Sequence, residues 1–172
     1  MRLTKPRSVV LAAVLVASGS LVTGSGPATA SVPQTHDTKG CVILKNLTDK
    51  IVTYQASTPP PFGVGSTGNF YDELFDSAGA KVGSITGSSW VIQQRASDGH
   101  LLAYSQEEIT LADGTIHTAG VYDFTNVYSG KWESGPAVGT SGKYLGMYGT
   151  RSAAVVIPTK LAKAAITLCP RP

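Results

Sequence analysis

The sequence predicts an all-β protein, a single closed antiparallel β-barrel of about eight strands. Three observations lead to this fold class. The 172-residue chain has 19 glycines and only 15% charged residues, a composition typical of short strands and tight turns. Asp98-Gly99 and Asp113-Gly114 form turns between segments of similar length, as in an antiparallel meander. No convincing helical apolar stripe follows residue 30, and closure into a barrel hides the strand edges that a two-sheet sandwich, the alternative, leaves open.

The first 30 residues have the pattern of an export signal. Three basic residues precede an uncharged apolar run at residues 9–16, and Ala28-Thr29-Ala30 matches an A-x-A cleavage site. The run is shorter than the roughly 20 apolar residues of a membrane span. We therefore expect a secreted protein with this organisation: residues 1–30, a cleaved signal peptide; residues 31–39, a flexible segment; residues 40–172, the barrel domain.

The charge of the mature chain excludes some classes of partner. Three of the 14 Lys and Arg residues lie in the leader, which leaves 11 basic residues against 11 Asp and Glu. No basic run interleaved with aromatic residues remains, so we expect neither a nucleic acid nor a membrane as partner.

Two cysteines, Cys41 and Cys169, lie at opposite ends of the expected domain. In an exported protein such a pair usually forms a disulfide. A redox pair is the alternative, but the Cys-x-x-Cys spacing typical of one is absent. We expect a disulfide that stabilises the fold by up to ~5 kcal/mol through closure of a long loop.

The predicted strands follow in order after a polar lead-in. Pro59 to Pro61 cannot donate ladder hydrogen bonds, so they predict a rigid connection, and residues 130–136 predict a looser segment. The predicted strands are residues 41–44, 51–56, 69–76, 81–96 (one bent strand, or two joined near Gly87), 101–111, 115–122, 143–148, 153–157 and 164–168.

Several glycine-containing segments carry a family resemblance. Residues 87–94 (GSSWVIQQ), the Asp98-Gly99 turn and residues 103–105 resemble the middle of plant allene oxide cyclases. The Gly-rich block at residues 139–149 (GTSGKYLGMYG) is similar to their C-terminal strand pair, a signature related to that of dirigent proteins. The resemblance extends over roughly residues 69–168.

This resemblance implies an eight-stranded barrel with a mostly apolar lumen. Family members bind an unsaturated fatty-acid epoxide or a phenolic radical, and they steer ring closure or coupling without a metal or other cofactor. We therefore expect a small apolar ligand in the lumen and a cofactor-independent, isomerase-like or cyclase-like activity. A non-catalytic extracellular carrier and a structural interaction module are the alternatives. The plant relatives assemble through their outer walls, so a homo-oligomer is compatible with the resemblance.

The resemblance also suggests candidate site residues. It places Thr53 at the glutamate of allene oxide cyclases, which removes the acid thought to open the epoxide. Gln55 and Asp72 fall at two asparagines, and Pro61 lies near a proline that helps to hold a bound water. True allene oxide cyclase activity is therefore not expected.

The adjacent acids Glu107 and Glu108 lie in the middle of one predicted strand. Because side chains alternate between faces, one carboxylate points inward unless the strand kinks. Glu107 shares its parity with four apolar residues, and an inward glutamate would have a raised pKa and serve as a general acid or base. Burial of a glutamate is rare, which favours the alternative that both side chains are solvated.

Residue type provides the remaining candidates. Strand aromatics line cavities or fill cores, and the three histidines have no metal-ligand spacing, so no metal site is predicted. The candidate catalytic residues are Glu107 and Asp72; the candidate ligand-binding residues are Tyr54, Gln55, Pro61, Tyr71 and Tyr104.

Overall fold

The structure, a computed structural model, describes residues 35–36 and 40–171. It is a closed antiparallel barrel of eight strands, β2 to β9, with the short β1 paired to β2. Neighbours in the chain are neighbours in the sheet, and β2 pairs with β9 to close it. The predicted fold class is confirmed. The elements are β1 Thr35–His36, β2 Val42–Ala56, β3 Thr67–Phe75, β4 Lys81–Gln94, β5 Leu101–Leu111, β6 Gly114–Asp123, α1 Phe124–Tyr128, β7 Glu133–Gly139, a 3-10 turn at Gly142–Tyr144, β8 Tyr148–Ile157 and β9 Leu161–Cys169.

The apolar core fills only one end of the barrel. It is built from the beginning of β2, β4 and β6, the segment just before β8 and the end of β3, β5, β7 and β9, which meet at that end because the strands are antiparallel. Alternation along each strand turns these side chains inward; in β5, buried Ile109 and Leu111 alternate with exposed Glu108 and Thr110. The core comprises Val42, Leu44, Leu47, Leu74, Val82, Ile85, Ile109, Leu111, Ile116, Ala137, Tyr144, Met147, Ala164, Ile166 and Leu168.

The first long strand differs from the prediction. Residues 41–44 and 51–56 belong to one continuous strand, β2, rather than two. Its pairing with β9 shifts between Leu44 and Leu47, and Asn46 has a positive φ of 55°. This bulge interrupts the alternation that sequence analysis relies on, so the polar residues in between had the pattern of a turn.

The region after β6 also differs. Residues 130–136 were expected to be loose, but β7 starts within them at Glu133, and the predicted strand at 143–148 contains the 3-10 turn instead. The β7 sequence, ESGPAVG, lacks large apolar residues because the barrel leaves no room for them. A Cβ atom on Gly139 would lie 1.6 Å from the Tyr144 carbonyl oxygen.

Cys41 and Cys169 form the predicted disulfide, with an S–S bond of 2.05 Å. It joins the segment before β2 to the end of β9, the two strands that close the barrel. None of the helices in the described ranges has the length and apolar character needed to cross a membrane. The expected signal peptide lies outside the described residues, and so does most of the expected flexible segment.

Candidate functional site

The end of the barrel opposite the core contains a cavity of about 130 Å³. A cavity near this size holds one benzene-sized ring. Its walls come mainly from the mouth-facing halves of the strands, together with α1. The lining residues are Asp49, Ile51, Tyr54, Phe70, Asp72, Ser89, Ala103, Ser105, Glu107, Tyr122, Phe124, Val127, Tyr128, Arg151, Ala153, Val155 and Ala162.

Four ionisable side chains lie where the cavity meets the core, and we call them the charged floor: Asp49, Asp72, Glu107 and Arg151. All four are buried, with Asp72 only 3% exposed. Arg151 Nη2 donates a hydrogen bond of 2.9 Å to Asp49 Oδ2. Arg151 Nε lies 2.6 Å from Glu107 Oε2, close enough for an ion pair but without hydrogen-bond alignment. One guanidinium on β8 therefore contacts two carboxylates, one from β2 and one from β5.

Strand alternation explains why these charges point inward. Asp49 follows the buried Leu47 by two positions, and Asp72 precedes the buried Leu74 by two. Glu107 has the same relation to the buried Ile109. Side chains two residues apart share a face of a strand, so each floor acid continues the core row of its own strand.

Burial raises the pKa of each carboxyl in the charged floor. Burial raises the pKa of Asp72 most, and the neighbouring Asp49 and Glu107 add to it, bringing it to about 8. Burial also raises the pKa of Asp49 and of Glu107, and in both cases the Arg151 guanidinium opposes that rise. At neutral pH Asp72 is therefore mostly a neutral carboxylic acid.

Asp49 and Asp72 interact carboxyl to carboxyl, a contact that raises the pKa of Asp72 and moderates that of Asp49. The pKa of Asp72, raised to about 8, leaves the proton of this pair on Asp72 at neutral pH. Asp72 Oδ1 and Asp49 Oδ1 are buried and have no hydrogen-bond partner within the described protein. These oxygens line the cavity and leave hydrogen-bonding capacity for a guest molecule.

Four aromatic rings close the open end, and we call them the mouth cluster: Tyr54, Phe62, Phe124 and Tyr128. Phe62 comes from the β2–β3 loop, and its ring centroid lies 5.7 Å from that of Phe124 and 5.8 Å from that of Tyr128. Edge-to-face contacts at such separations are favourable. The mouth cluster gives the cavity an apolar lid, and burial raises the pKa of the Tyr128 hydroxyl.

A surface ion network fixes α1 at this mouth. Asp123 accepts a hydrogen bond of 3.0 Å from the backbone N–H of Asn126, which caps the helix. The same carboxylate lies 2.7 Å from Arg95 Nη2 and 2.9 Å from His100 Nδ1. The Asp98-Gly99 hairpin turn is thereby tied to the helix that closes the lumen.

The structure separates the candidate site residues into two sets. Glu107 and Asp72 belong to the charged floor and Tyr54 to the mouth cluster. The side chains of Gln55 and Pro61 are exposed near the mouth, and Tyr71 and Tyr104 are exposed on β3 and β5. Cavity-lining residues have the opposite strand parity, so these two tyrosines lie on the outer wall.

The interpretation that both adjacent glutamates are solvated is wrong. Glu107 is 7% exposed, whereas Glu108 lies outside and pairs with His117 at 3.4 Å. The strand does not kink there, because β5 pairs with β6 without a register shift from Leu102 to Leu111. Uninterrupted alternation therefore turns Glu107 into the lumen.

Sequence analysis missed Asp49 and Arg151. Arg151 had a local signal, because it is the single charge in the strand YGTRSAAVVI, whereas Asp49 is adjacent to Lys50 in β2 and had no such signal. Within the described part of the chain, no group of three His, Cys, Asp or Glu side chains is placed to hold a metal ion. The site is therefore built from carboxyls, a guanidinium, tyrosine hydroxyls and apolar walls.

The fold and the site define a small antiparallel barrel with a ligand-sized lumen. Residues 46–168 match the family model described as the allene oxide cyclase barrel like domain. The match covers well over half of the chain, and the protein belongs to this family.

Solved cyclases of the same architecture are similar to this chain. AbnU, an exo-specific intermolecular Diels–Alderase, is 32% identical, with a TM-score of 0.70; the match covers 74% of this chain and 96% of AbnU. A nonspecific heme-binding cyclase, which catalyses a 4 + 2 cycloaddition during neoabyssomicin biosynthesis, is 31% identical, with a TM-score of 0.70 and coverages of 79% and 70%. The Diels–Alderase AbmU from Streptomyces koyangensis is 31% identical, with a TM-score of 0.68 and coverages of 77% and 65%.

Proposed function

We propose that this protein is a secreted, cofactor-independent cyclase that closes a ring in a small unsaturated substrate bound in its lumen. The observation that carries the proposal is the cavity itself: an apolar chamber over a charged floor, in a barrel that matches almost the full length of a Diels–Alderase. The disulfide and the signal-like leader support export.

Confinement supplies most of the rate enhancement in this proposal. Ring closure requires two ends of a flexible molecule to meet, and a closed chamber selects the folded conformers in which they do. The mouth cluster excludes water, and the aromatic and aliphatic walls accept a polyene without requiring charge. No transfer of electrons or groups to the protein is needed.

The charged floor orients and activates the substrate. Neutral Asp72 donates a hydrogen bond to a carbonyl oxygen conjugated with one reacting double bond. That bond withdraws electron density from the alkene and lowers the barrier to cycloaddition, and it is stronger in the water-excluded lumen than in solvent. Tyr54 contacts the substrate at the mouth.

The test uses a linear trienone, in which a short tether joins a diene to an enone, and follows ring closure by gas chromatography. We expect the mature protein to accelerate closure and to fix the stereochemistry of the ring fusion. Ala153→Phe places a ring in the cavity and abolishes both effects. Thr150→Phe adds the same ring on the exposed face of the same strand and changes neither.

Two results would contradict the proposal. One is closure at the uncatalysed rate with the mature protein; the other is equal acceleration by Ala153→Phe and wild type. Binding of the trienone without acceleration, measured by calorimetry, favours the alternative of an extracellular carrier that uses the same chamber.

A further inference from the structure

The charged floor presents an acid and a base to the same cavity, on strands that flank β4. Asp72 on β3 has a raised pKa and bears a proton, and Glu107 on β5 lies 2.6 Å from Arg151 Nε, a contact that favours its carboxylate form. We propose that the lumen has a second activity: it enolises small apolar ketones, with Asp72 as the acid at the carbonyl oxygen and Glu107 as the base at the neighbouring carbon. The inference rests on the ligand-binding lumen of the proposed function but not on ring closure.

The geometry suits a carbonyl group and its neighbouring carbon. Asp72 pairs with Ile85 of β4, and Glu107 pairs with Gly87 of the same strand. The axes of β3 and β5 are therefore about 10 Å apart, two strand spacings. Both side chains reach inward from these axes, so a carbonyl and its α-carbon fit between the two carboxyl groups.

The unpartnered oxygens indicate that the charged floor is built for a guest. Asp72 Oδ1 and Asp49 Oδ1 are buried and make no hydrogen bond within the described protein. Leaving such groups unpaired costs about 1–3 kcal/mol each, and a carbonyl that accepts the Asp72 proton removes part of that cost. A floor with a structural role alone has no reason to keep these sites open toward a cavity.

Arg151 explains the division of roles. Its Nη2 donates an aligned hydrogen bond of 2.9 Å to Asp49 Oδ2, which holds the Asp49 carboxylate in place. Glu107 has an ion-pair contact with Arg151 Nε that lacks hydrogen-bond alignment. Of the two carboxylates beside the guanidinium, Glu107 is thus the one free to accept a proton from substrate carbon.

The step balances without any further reactant. Glu107 takes a proton from the α-carbon, and the electrons of that C–H bond form the carbon–carbon double bond of the enol. The carbonyl π electrons take the proton of Asp72, which becomes a carboxylate while Glu107 becomes an acid. One proton enters the charged floor and one leaves, so its net charge is constant, which matters because a change of net charge is costly in a buried site. The reverse step restores the ketone and both side chains.

A six-membered ring with its carbonyl matches the enclosed volume of about 130 Å³, so cyclohexanone is a suitable probe. In D₂O, the proton that Glu107 takes from the α-carbon is exchanged for solvent deuterium when the lumen opens, and the return step then places deuterium on that carbon; proton NMR follows the loss of signal. We expect wild-type protein to exchange these hydrogens faster than buffer alone. Glu107→Gln and Asp72→Asn each lower the protein-dependent rate by about 100-fold, the scale of general acid–base catalysis.

The neighbouring acid provides the matched control. Glu108→Gln removes a carboxylate one residue away on the outer wall and leaves the exchange rate unchanged. Exchange at the buffer rate with wild type, or an undiminished rate in Glu107→Gln, overturns the inference. If Glu107→Gln does not fold, Ala153→Phe decides, because it fills the cavity and leaves the charged floor intact; exchange that survives it also overturns the inference.

The two proposals fail separately. Trienone closure without cyclohexanone exchange leaves the cyclase and removes the enolising activity. Cyclohexanone exchange without trienone closure leaves the enolising activity and removes the cyclase.

Discussion

Replacement of Asp72 by Asn tests the acid excess of the charged floor through stability. Burial and the neighbouring Asp49 raise the pKa of Asp72 from 3.8 to about 8. The folded state therefore keeps a proton that the unfolded chain loses. The stability that this proton contributes is complete below the unfolded pKa and is lost as the pH rises toward the folded pKa.

The magnitude follows from this difference in bound protons. One proton retained only in the folded state lowers the free energy of unfolding by about 1.4 kcal/mol per pH unit, or roughly 2.7 kcal/mol from pH 5 to pH 7. The raised pKa values of Asp49 and Glu107 give wild type a slope of the same sign. We expect Asp72→Asn to keep the part of the pH slope that comes from Asp49 and Glu107. The variant should lose the part that comes from Asp72, about 1.4 kcal/mol per pH unit.

Urea unfolding at half-unit intervals between pH 5 and pH 7, followed by tryptophan fluorescence, measures both slopes. Glu108→Gln, an exposed acid on the outer wall, is the control and should run parallel to wild type. If the free energy of unfolding of Asp72→Asn falls with pH as steeply as that of wild type, Asp72 is ionised in the folded state. The neutral donor in both proposals would then be lost.

Two further changes test the closure of the barrel and of its mouth. The double variant Cys41→Ser, Cys169→Ser opens a loop with a sequence separation of 128, so we expect about 5 kcal/mol less stability in urea unfolding; a loss below about 1 kcal/mol would contradict the chain-entropy reasoning. Phe62→Ala removes the ring between Tyr54 and Tyr128, so we expect faster dissociation of toluene from the lumen by NMR exchange measurements, and an unchanged rate would show that the mouth opens elsewhere.

Local signals predicted the middle of the fold well. The strand predicted at residues 101–111 has those bounds in the structure, because Asp98-Gly99 and Asp113-Gly114 mark its ends and strict alternation runs between them. The same alternation identified Glu107 as the inward glutamate. Glutamate is rarely buried in proteins, which favours the opposite interpretation. The alternation along β5 predicts the orientation of Glu107 correctly because β5 has no bulge against β6.

Parity also explains which candidate residues lie away from the lumen. Tyr104 differs in parity from Glu107 on the same strand, so the two side chains point to opposite faces. Tyr71 bears the same relation to Asp72 on β3. Both tyrosines were selected for their residue type, and the alternation already present in the sequence would have placed them on the outer wall.

The contacts between strands that are distant in the chain could not be predicted from the sequence. Asp49 and Arg151 are 102 positions apart, and only the barrel brings them to 2.9 Å. No local pattern pairs a given acid on one strand with a given base on another, since that choice depends on register across several strands. The shift between Leu44 and Leu47 adds to the difficulty, because it changes the pairing of β2 with β9 just before Asp49.

The division of the barrel into a packed end and a hollow end links stability to function. The core side chains and the disulfide stabilise one end of the barrel. This stability offsets the cost of the cavity at the other end, since an unfilled cavity lowers the stability of a domain. The charged floor lies at the boundary between the packed core and the cavity. Buried acids with open oxygens are tolerated there because the packed end offsets their cost. A barrel under selection for stability alone has no physical reason to keep three acids around one guanidinium at that depth, so the charged floor is where the chemistry of this protein is to be sought.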